Sequence, residues 1–91
     1  MGYVYFAVTC DGELLKVGYS RQFPETRLAK HQAKVKRPMR MLGVIPSTIT
    51  TEAQAVRALR KITTRVPGTR EWFIATPLSI IFAYSVLHNH S

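Results

Sequence analysis

The chain has little cysteine, few acidic residues and no long apolar run, and each shortage excludes a class of protein. Cys10 is the single cysteine among 91 residues, which excludes an internal disulfide and any metal site built from several cysteines. The longest apolar run, residues 78–87, is too short to span a bilayer. The first residues lack the basic and apolar stretches of a signal peptide. We therefore expect a cytoplasmic protein with no membrane partner.

The shortage of acidic residues makes the chain strongly basic. Five Asp and Glu stand against thirteen Lys and Arg, for a net charge of +8, which favours a polyanionic partner. The basic residues lie in the middle of the chain rather than in a tail, which is typical of a folded basic face, although a merely solvated surface remains an alternative. At this length we expect one domain over residues 1–91, with chemistry on an open surface rather than in a large pocket.

The N-terminal segment predicts a β-hairpin. Residues 3–9 and 14–20 are rich in valine, aromatic residues and leucine, and Asp11-Gly12 between them is a strong turn signal. A two-residue turn at Asp11-Gly12 predicts three apolar cross-strand pairs: Val8 with Leu15, Phe6 with Val17, and Val4 with Tyr19. The other face then carries Ala7 with Lys16, Tyr5 with Gly18, and Tyr3 with Ser20.

This second face of the hairpin is the candidate for chemistry. It brings the phenols of Tyr3 and Tyr5 and the ammonium of Lys16 together. Gly18 has no side chain, so we expect the ring of Tyr5 to meet open space there. The alternative is that the two tyrosines are ordinary strand residues and that Gly18 marks a bulge or twist.

A helix is expected next, over residues 24–34. Pro24 suits a first helical position and Glu25 a first turn. Arg27 and His31 are four residues apart and project from one helical face, where a guanidinium can grip a phosphate and an imidazole can donate to it or take a proton. The alternative is that both are exposed helix residues. The basic residues that we expect to contact nucleic acid lie on or near this helix: Arg21, Lys30, Lys34, Lys36 and Arg37.

A third strand and a second helix follow. Residues 39–45 predict a strand closed by Pro46, and Thr51 with Gln54 predicts a capping box at a helix start. The core-facing stripe of that helix is Ala55, Val56, Leu59 and Ile62. Glu52 lies on the same stripe, so it either reaches solvent in the first turn or binds a metal ion at the edge of the core.

The C-terminal third reads as mainly structural. Residues 70–74 predict a short strand or an extended piece, and Thr76-Pro77 predicts the cap and first turn of a helix reaching about Leu87. That helix is apolar nearly all round, so it is either deeply packed or half of a homodimer contact. His88 and His90 lack the spacing and neighbours of a metal site. The fold class is thus α+β, a three-stranded antiparallel sheet with about three helices.

The order of these motifs resembles the GIY-YIG nuclease superfamily. The features shared are Tyr3-Val4-Tyr5, Lys16-Val17-Gly18, the helix with Arg27 and His31, the helix beginning near Glu52, and Glu71-Trp72-Phe73 before a Thr-Pro helix. The chain is more narrowly similar to a compact phage and bacterial branch whose second motif is Lys-Ile-Gly. The similarity runs from Tyr3 to about Pro77.

The resemblance implies a role for each matching residue. Tyr5 would take a proton from the attacking water, and Lys16 would support Tyr5 or hold a phosphate oxygen. Arg27 would stabilise the pentavalent phosphate with His31 as its partner, Gly18 would close the second motif, and Glu52 would bind one divalent cation, Mg²⁺ or Mn²⁺. The chain departs from the usual pattern at three places: Lys16 stands where most members of the superfamily have a tyrosine, Tyr3 replaces the glycine of the first motif, and Ala55-Val56 replaces the Leu-His pair of the compact branch.

The sequence therefore predicts a small metal-dependent DNA endonuclease acting on double-stranded DNA. The alternative is a catalytically weakened module of the same fold, a phage-type accessory factor that binds nucleic acid through its basic face or docks a host protein through the C-terminal helix.

Overall fold

The computed structural model describes residues 2–22, 38–69 and 71–89, and these form one antiparallel sheet with two helices. The sheet has the order β3-β1-β2-β4, so the α+β class is confirmed and the three-stranded sheet is wrong by one strand. The helix expected over residues 24–34 lies outside the described residues. The elements in chain order are β1 (Gly2–Thr9), β2 (Leu14–Ser20), β3 (Met39–Ser47), α1 (Ile49–Ile62), β4 (Trp72–Ile74) and α2 (Pro77–Asn89).

The hairpin of β1 and β2 has the predicted register, with all six cross-strand pairs as expected. Its turn differs from the prediction. The N–H of Gly12 donates to the carbonyl of Thr9 at 2.8 Å, so Cys10 and Asp11 hold the central turn positions. Gly12 follows with φ +76°, a left-handed conformation that glycine adopts without steric cost. The loop remains centred on residues 11 and 12, and the register is therefore unchanged.

The fourth strand lies within residues 70–74, where the sequence predicts a short strand or an extended piece. Trp72–Ile74 pairs antiparallel with β2, placing Trp72 opposite Lys16 and Phe73 opposite Leu15. A strand of three residues is too short to show a period of two, so its register is set by pairing with β2 and not by its own pattern.

The third strand is longer than predicted, because Pro46 lies inside it. β3 runs to Ser47, and Pro46 pairs with Tyr3. β3 is an edge strand, where the missing N–H of proline removes no ladder hydrogen bond on the solvent side. A register shift between Phe6 and Ala7 leaves Leu42 as an extra residue in β3.

The N-cap of helix α1 lies three residues before the predicted cap. Thr48 is its N-cap and makes no side-chain cap bond, so the capping box of Thr51 and Gln54 is wrong. Thr51 instead accepts a hydrogen bond from Ser47 at 2.8 Å between the hydroxyl oxygens. Ala55, Val56 and Leu59 are buried as predicted. Ile62 is 38% exposed, because it is the last residue of the helix, beyond the part that packs on the sheet.

Alternation gives the sheet two faces with different roles. The core face carries Val4, Phe6, Leu15 and Val17, which form one buried cluster with residues of both helices, among them Leu59 and Ala83. We call the opposite side the tyrosine face. It carries Tyr3, Tyr5, Ala7, Lys16 and Gly18. Both described helices therefore cover the core face.

Helix α2 is packed on one side and exposed on the other. Its cap at Thr76 is confirmed: Ser79 N–H donates to Thr76 Oγ1 at 3.1 Å, and Thr76 N–H donates to Ser79 Oγ at 2.8 Å. Ala83 and Leu87 are buried, whereas Leu78 and Ile81 are 63% and 64% exposed. No described helix is long and apolar enough to cross a membrane.

Candidate active site

Tyr5 and Gly18 form the most closely fitted pair on the tyrosine face. They are direct cross-strand partners, and a Cβ added at Gly18 would lie 2.5 Å from Tyr5 Oη and 2.7 Å from Cε1. The ring therefore lies over the glycine backbone and fills the space that the sequence suggested would be open. Tyr5 is 1% exposed. Gly18 is thus required for the position of the phenol.

Lys16 lies beside Tyr5 and is enclosed by aromatic and acidic groups. Its Nζ is 6.0 Å from the centroid of the Tyr5 ring and 5.6 Å from that of Trp72, near the outer limit of cation–π attraction. Nζ is also 4.0 Å from Oε2 of Glu71, and Lys16 is 4% exposed. The hairpin and the β2–β4 pairing together place an ammonium group and a phenol in one environment.

Trp72 and Glu71 are site residues that the sequence reasoning missed. The run Glu71-Trp72-Phe73 was recognised as a motif but was given no role. Pairing of β4 with β2 puts Trp72 opposite Lys16, and the N–H of Val17 donates to the carbonyl of Glu71 at 3.1 Å. The signal that would have found them is the register of β4, which a three-residue strand does not reveal.

The site is closed, which corrects the expectation of an open surface. Tyr5, Lys16 and Gly18 are buried, and Tyr3 near the start of β1 is half-buried. A buried ammonium offers three N–H donors to a phosphate oxygen only if the phosphate can reach it. Chemistry by Tyr5 and Lys16 therefore requires a conformation in which they are more exposed.

Glu52 is buried at the start of α1. It lies in the first turn, ahead of the residues Ala55, Val56 and Leu59 that pack on the core face, and it is 2% exposed. The alternative that its side chain simply reaches solvent is therefore wrong. Its Oε1 atom is buried without a hydrogen bond, although Glu52 as a whole does interact with its surroundings.

The chemistry of this carboxylate fits a hard cation. Carboxylate and hydroxyl oxygens are what Mg²⁺ prefers, and Mg²⁺ often takes only one or two protein carboxylates. The hydroxyls of Ser47 and Thr51 lie at the same end of α1 as Glu52. Residues 2–22, 38–69 and 71–89 contain no group of three or more His, Cys, Asp and Glu side chains that could hold an ion by themselves. An ion at Glu52 would therefore complete its shell with water and substrate oxygens.

The remaining candidate residues stay predictions. Arg21 is described and exposed, just after β2. The others lie outside the described residues: Arg27, Lys30, His31, Lys34, Lys36 and Arg37.

Comparison with protein families gives one match. The family model described as the T5orf172 domain matches residues 2–87, which include every described strand, all of α1 and all but the last residues of α2. No curated protein and no solved structure matches the chain.

Proposed function

Because this chain belongs to the T5orf172 domain family, a nuclease-type domain with a GIY-YIG-like character, we propose that it is a small metal-dependent endonuclease acting on double-stranded DNA. One observation carries the proposal: the hairpin register stacks Tyr5 on Gly18 and holds Nζ of Lys16 at 6.0 Å from the Tyr5 ring centroid. The two motifs that resemble the GIY-YIG nucleases thus meet on one face of the sheet.

The proposed chemistry uses five side chains. Tyr5 acts as its phenolate and becomes the neutral phenol when it accepts the proton of the attacking water, and Lys16 donates to a non-bridging phosphate oxygen. Arg27 neutralises charge on the pentavalent phosphate, with His31 as its partner. Glu52 holds one divalent cation, and a bound Mg²⁺ or Mn²⁺ would supply further charge neutralisation at the phosphate.

A second candidate function is favoured by the burial of the site. Tyr5 and Lys16 are 1% and 4% exposed, so in this conformation neither can touch DNA. A module that keeps the fold but binds nucleic acid through its exposed basic residues, without cutting it, needs no exposure of these two groups. A DNA cleavage assay distinguishes the two candidates, because only the nuclease cuts the DNA.

The nuclease proposal predicts nicking that depends on both a metal ion and Arg27. Supercoiled plasmid is expected to be nicked with Mg²⁺ or Mn²⁺ and to remain intact with a chelator. The Arg27→Ala protein is expected to nick at least about 100-fold more slowly, because a lost oxyanion contact typically costs that much. Gel quantification of nicked plasmid against time measures both effects.

The matched control is Arg40→Ala, which removes an exposed arginine from the edge strand β3 and should leave the rate near that of the wild type. Equal nicking by the Arg27→Ala and wild-type proteins would contradict the proposal. Salt-sensitive DNA binding with no cleavage under either metal would assign the second candidate function instead.

A homodimer through α2 is proposed as the state in which both DNA strands are cut. The helix carries no lysine, arginine, aspartate or glutamate, whereas the whole chain has a net charge of +8. A second copy can therefore approach this face with little charge repulsion, and Leu78, Ile81 and Tyr84 are exposed there. A two-fold contact would make the patch self-complementary.

This predicts that Ile81→Lys converts a concentration-dependent dimer to a monomer, because it places a charge at the centre of the exposed apolar side. Sedimentation equilibrium measures the mass. The control is Gln54→Lys, which adds the same charge at an exposed position of α1 and should leave the dimer intact. A wild-type protein that stays monomeric at all concentrations would show this proposal to be wrong.

A further inference from the structure

The outer side of α1 carries a cluster of exposed cations that the proposed chemistry does not use. Arg57, Arg60 and Lys61 are exposed near the end of the helix, and Arg65 is exposed shortly after it. We call these four residues the α1 basic patch. They were not among the residues expected to contact nucleic acid.

The residues of the α1 basic patch line two neighbouring depressions on the protein surface. Arg57, Arg60 and Arg65 line one surface depression of about 290 Å³, and Arg57 and Lys61 line the depression beside it. Arg60 and Lys61 are three and four residues after Arg57, a rise of about 4.5 Å and about 6 Å along the helix axis, so both are its neighbours on the helix surface. The four cations therefore form a band centred on Arg57.

Within residues 2–22, 38–69 and 71–89, no acidic side chain is paired with this band. Of the five acidic residues in the chain, Glu52 is the one on α1, and its side chain is buried. Glu71 is near Lys16 on the tyrosine face, at 4.0 Å between Oε2 and Nζ. Among the described residues, none of the four patch side chains makes a hydrogen bond or an ion pair.

We propose that the α1 basic patch is a second nucleic-acid contact surface that binds backbone phosphates. Three of its four cations are arginine, whose planar guanidinium can donate two parallel hydrogen bonds to a phosphate. A helix that binds a membrane surface places large exposed apolar side chains beside its cations. Apart from its arginines, the first depression is lined by Ala53 and Val56. The second also includes Ile62, which is 38% exposed at the end of the helix. One partly exposed isoleucine beside four cations is a small apolar area, so backbone phosphates are the better match.

The patch and the candidate active site face different directions. α1 covers the core face, whereas Tyr5 and Lys16 lie on the tyrosine face. The patch therefore adds affinity for DNA without contacting the phosphate that reacts. This inference takes double-stranded DNA from the proposed function as the polyanion, but it does not require that the DNA be cut.

The test is the salt dependence of DNA binding, measured with chelator so that cleavage plays no part. Fluorescence anisotropy with a labelled mixed-sequence duplex gives the association constant at several salt concentrations. For Arg57→Gln/Arg60→Gln/Arg65→Gln the slope of log K against log salt should become shallower by about 3, since each lost phosphate contact accounts for about 0.9. The three substitutions are at exposed positions, so the variant is expected to fold. Circular dichroism checks that it does.

Single substitutions supply the matched control. Arg60→Gln should make the slope shallower by about 1, and Arg40→Gln, an equal charge change on β3, should leave it unchanged. An unchanged slope in the triple variant overturns the inference, and if plasmid is still nicked the nuclease proposal stands. Patch-dependent binding without nicking overturns the nuclease proposal alone. The patch proposal would also be overturned if the triple variant lost binding to vesicles containing phosphatidylserine while its DNA slope stayed unchanged. That result would assign the patch to a membrane surface.

Discussion

Replacing Glu52 with glutamine is expected to reduce metal-dependent nicking by at least about 10³-fold, equivalent to about 4 kcal/mol in the activation free energy. The residue is the one acidic side chain of α1 and is 2% exposed. Glutamine keeps the size of the side chain but removes the anionic donor that a hard cation prefers. The loss should therefore come from metal binding and not from a change in packing.

Thermal unfolding shows whether the Glu52→Gln protein has lost the metal ion or has lost its folded structure. A metal that binds the native state at ten times its Kd stabilises by about 1.4 kcal/mol, which raises Tm by roughly 6–11 °C for a domain of this size. Wild type should show this rise with Mn²⁺, and Glu52→Gln should show none.

The control is Glu13→Gln, an exposed carboxylate in the hairpin loop, which should keep both the nicking and the Tm rise. A Glu52→Gln protein that is folded and still stabilised by Mn²⁺ would show that Glu52 is not the metal ligand.

Replacing Gly18 with alanine is expected to lower the free energy of unfolding by about 2 kcal/mol, in the range for overpacked sites. An added Cβ would lie 2.5 Å from Tyr5 Oη, and Tyr5 is buried, so either the ring or the strand must move. A loss of this size lowers Tm by roughly 8–16 °C. Urea denaturation, monitored by circular dichroism, measures the free energy of unfolding of both proteins.

Two comparisons identify the Tyr5 ring as the cause. Gly43→Ala should cost less, because its Cβ would meet the flexible end of Leu87 at 2.8 Å rather than a packed ring. In a Tyr5→Ala background Gly18→Ala should have little further effect, which gives a coupling of about 2 kcal/mol in a double-mutant cycle. Equal costs of Gly18→Ala in both backgrounds would rule out the stacked ring as the source.

The register of the β1–β2 hairpin could be predicted from the local sequence pattern alone. Alternation and the Asp11-Gly12 signal were enough to predict all six cross-strand pairs, because a slip by one residue would exchange the apolar and polar faces. The turn itself was placed one residue too late, since it closes with a hydrogen bond from Gly12 to Thr9. The cross-strand pairs were still predicted correctly, because the loop is centred between residues 11 and 12 in both cases.

Errors in α1 have a different origin. Thr51 and Gln54 match a capping pattern, yet the helix begins at Ile49, because the chain leaves β3 at Ser47 and turns directly into the helix. Cap signals depend on a few side-chain hydrogen bonds worth about 1 kcal/mol each. Packing of Ala55, Val56 and Leu59 on the sheet outweighs them.

By itself, the sequence determined the hairpin, its two faces and the buried stripe of α1, because each follows from a short period in the order of apolar residues. Only the tertiary structure decided that the Tyr5–Lys16 site is closed. Trp72 and Glu71 reach Lys16 through pairing of β4 with β2, more than fifty residues along the chain. That pairing depends on backbone hydrogen bonds between distant strands, and the three residues of β4 are too few to encode it in a local pattern.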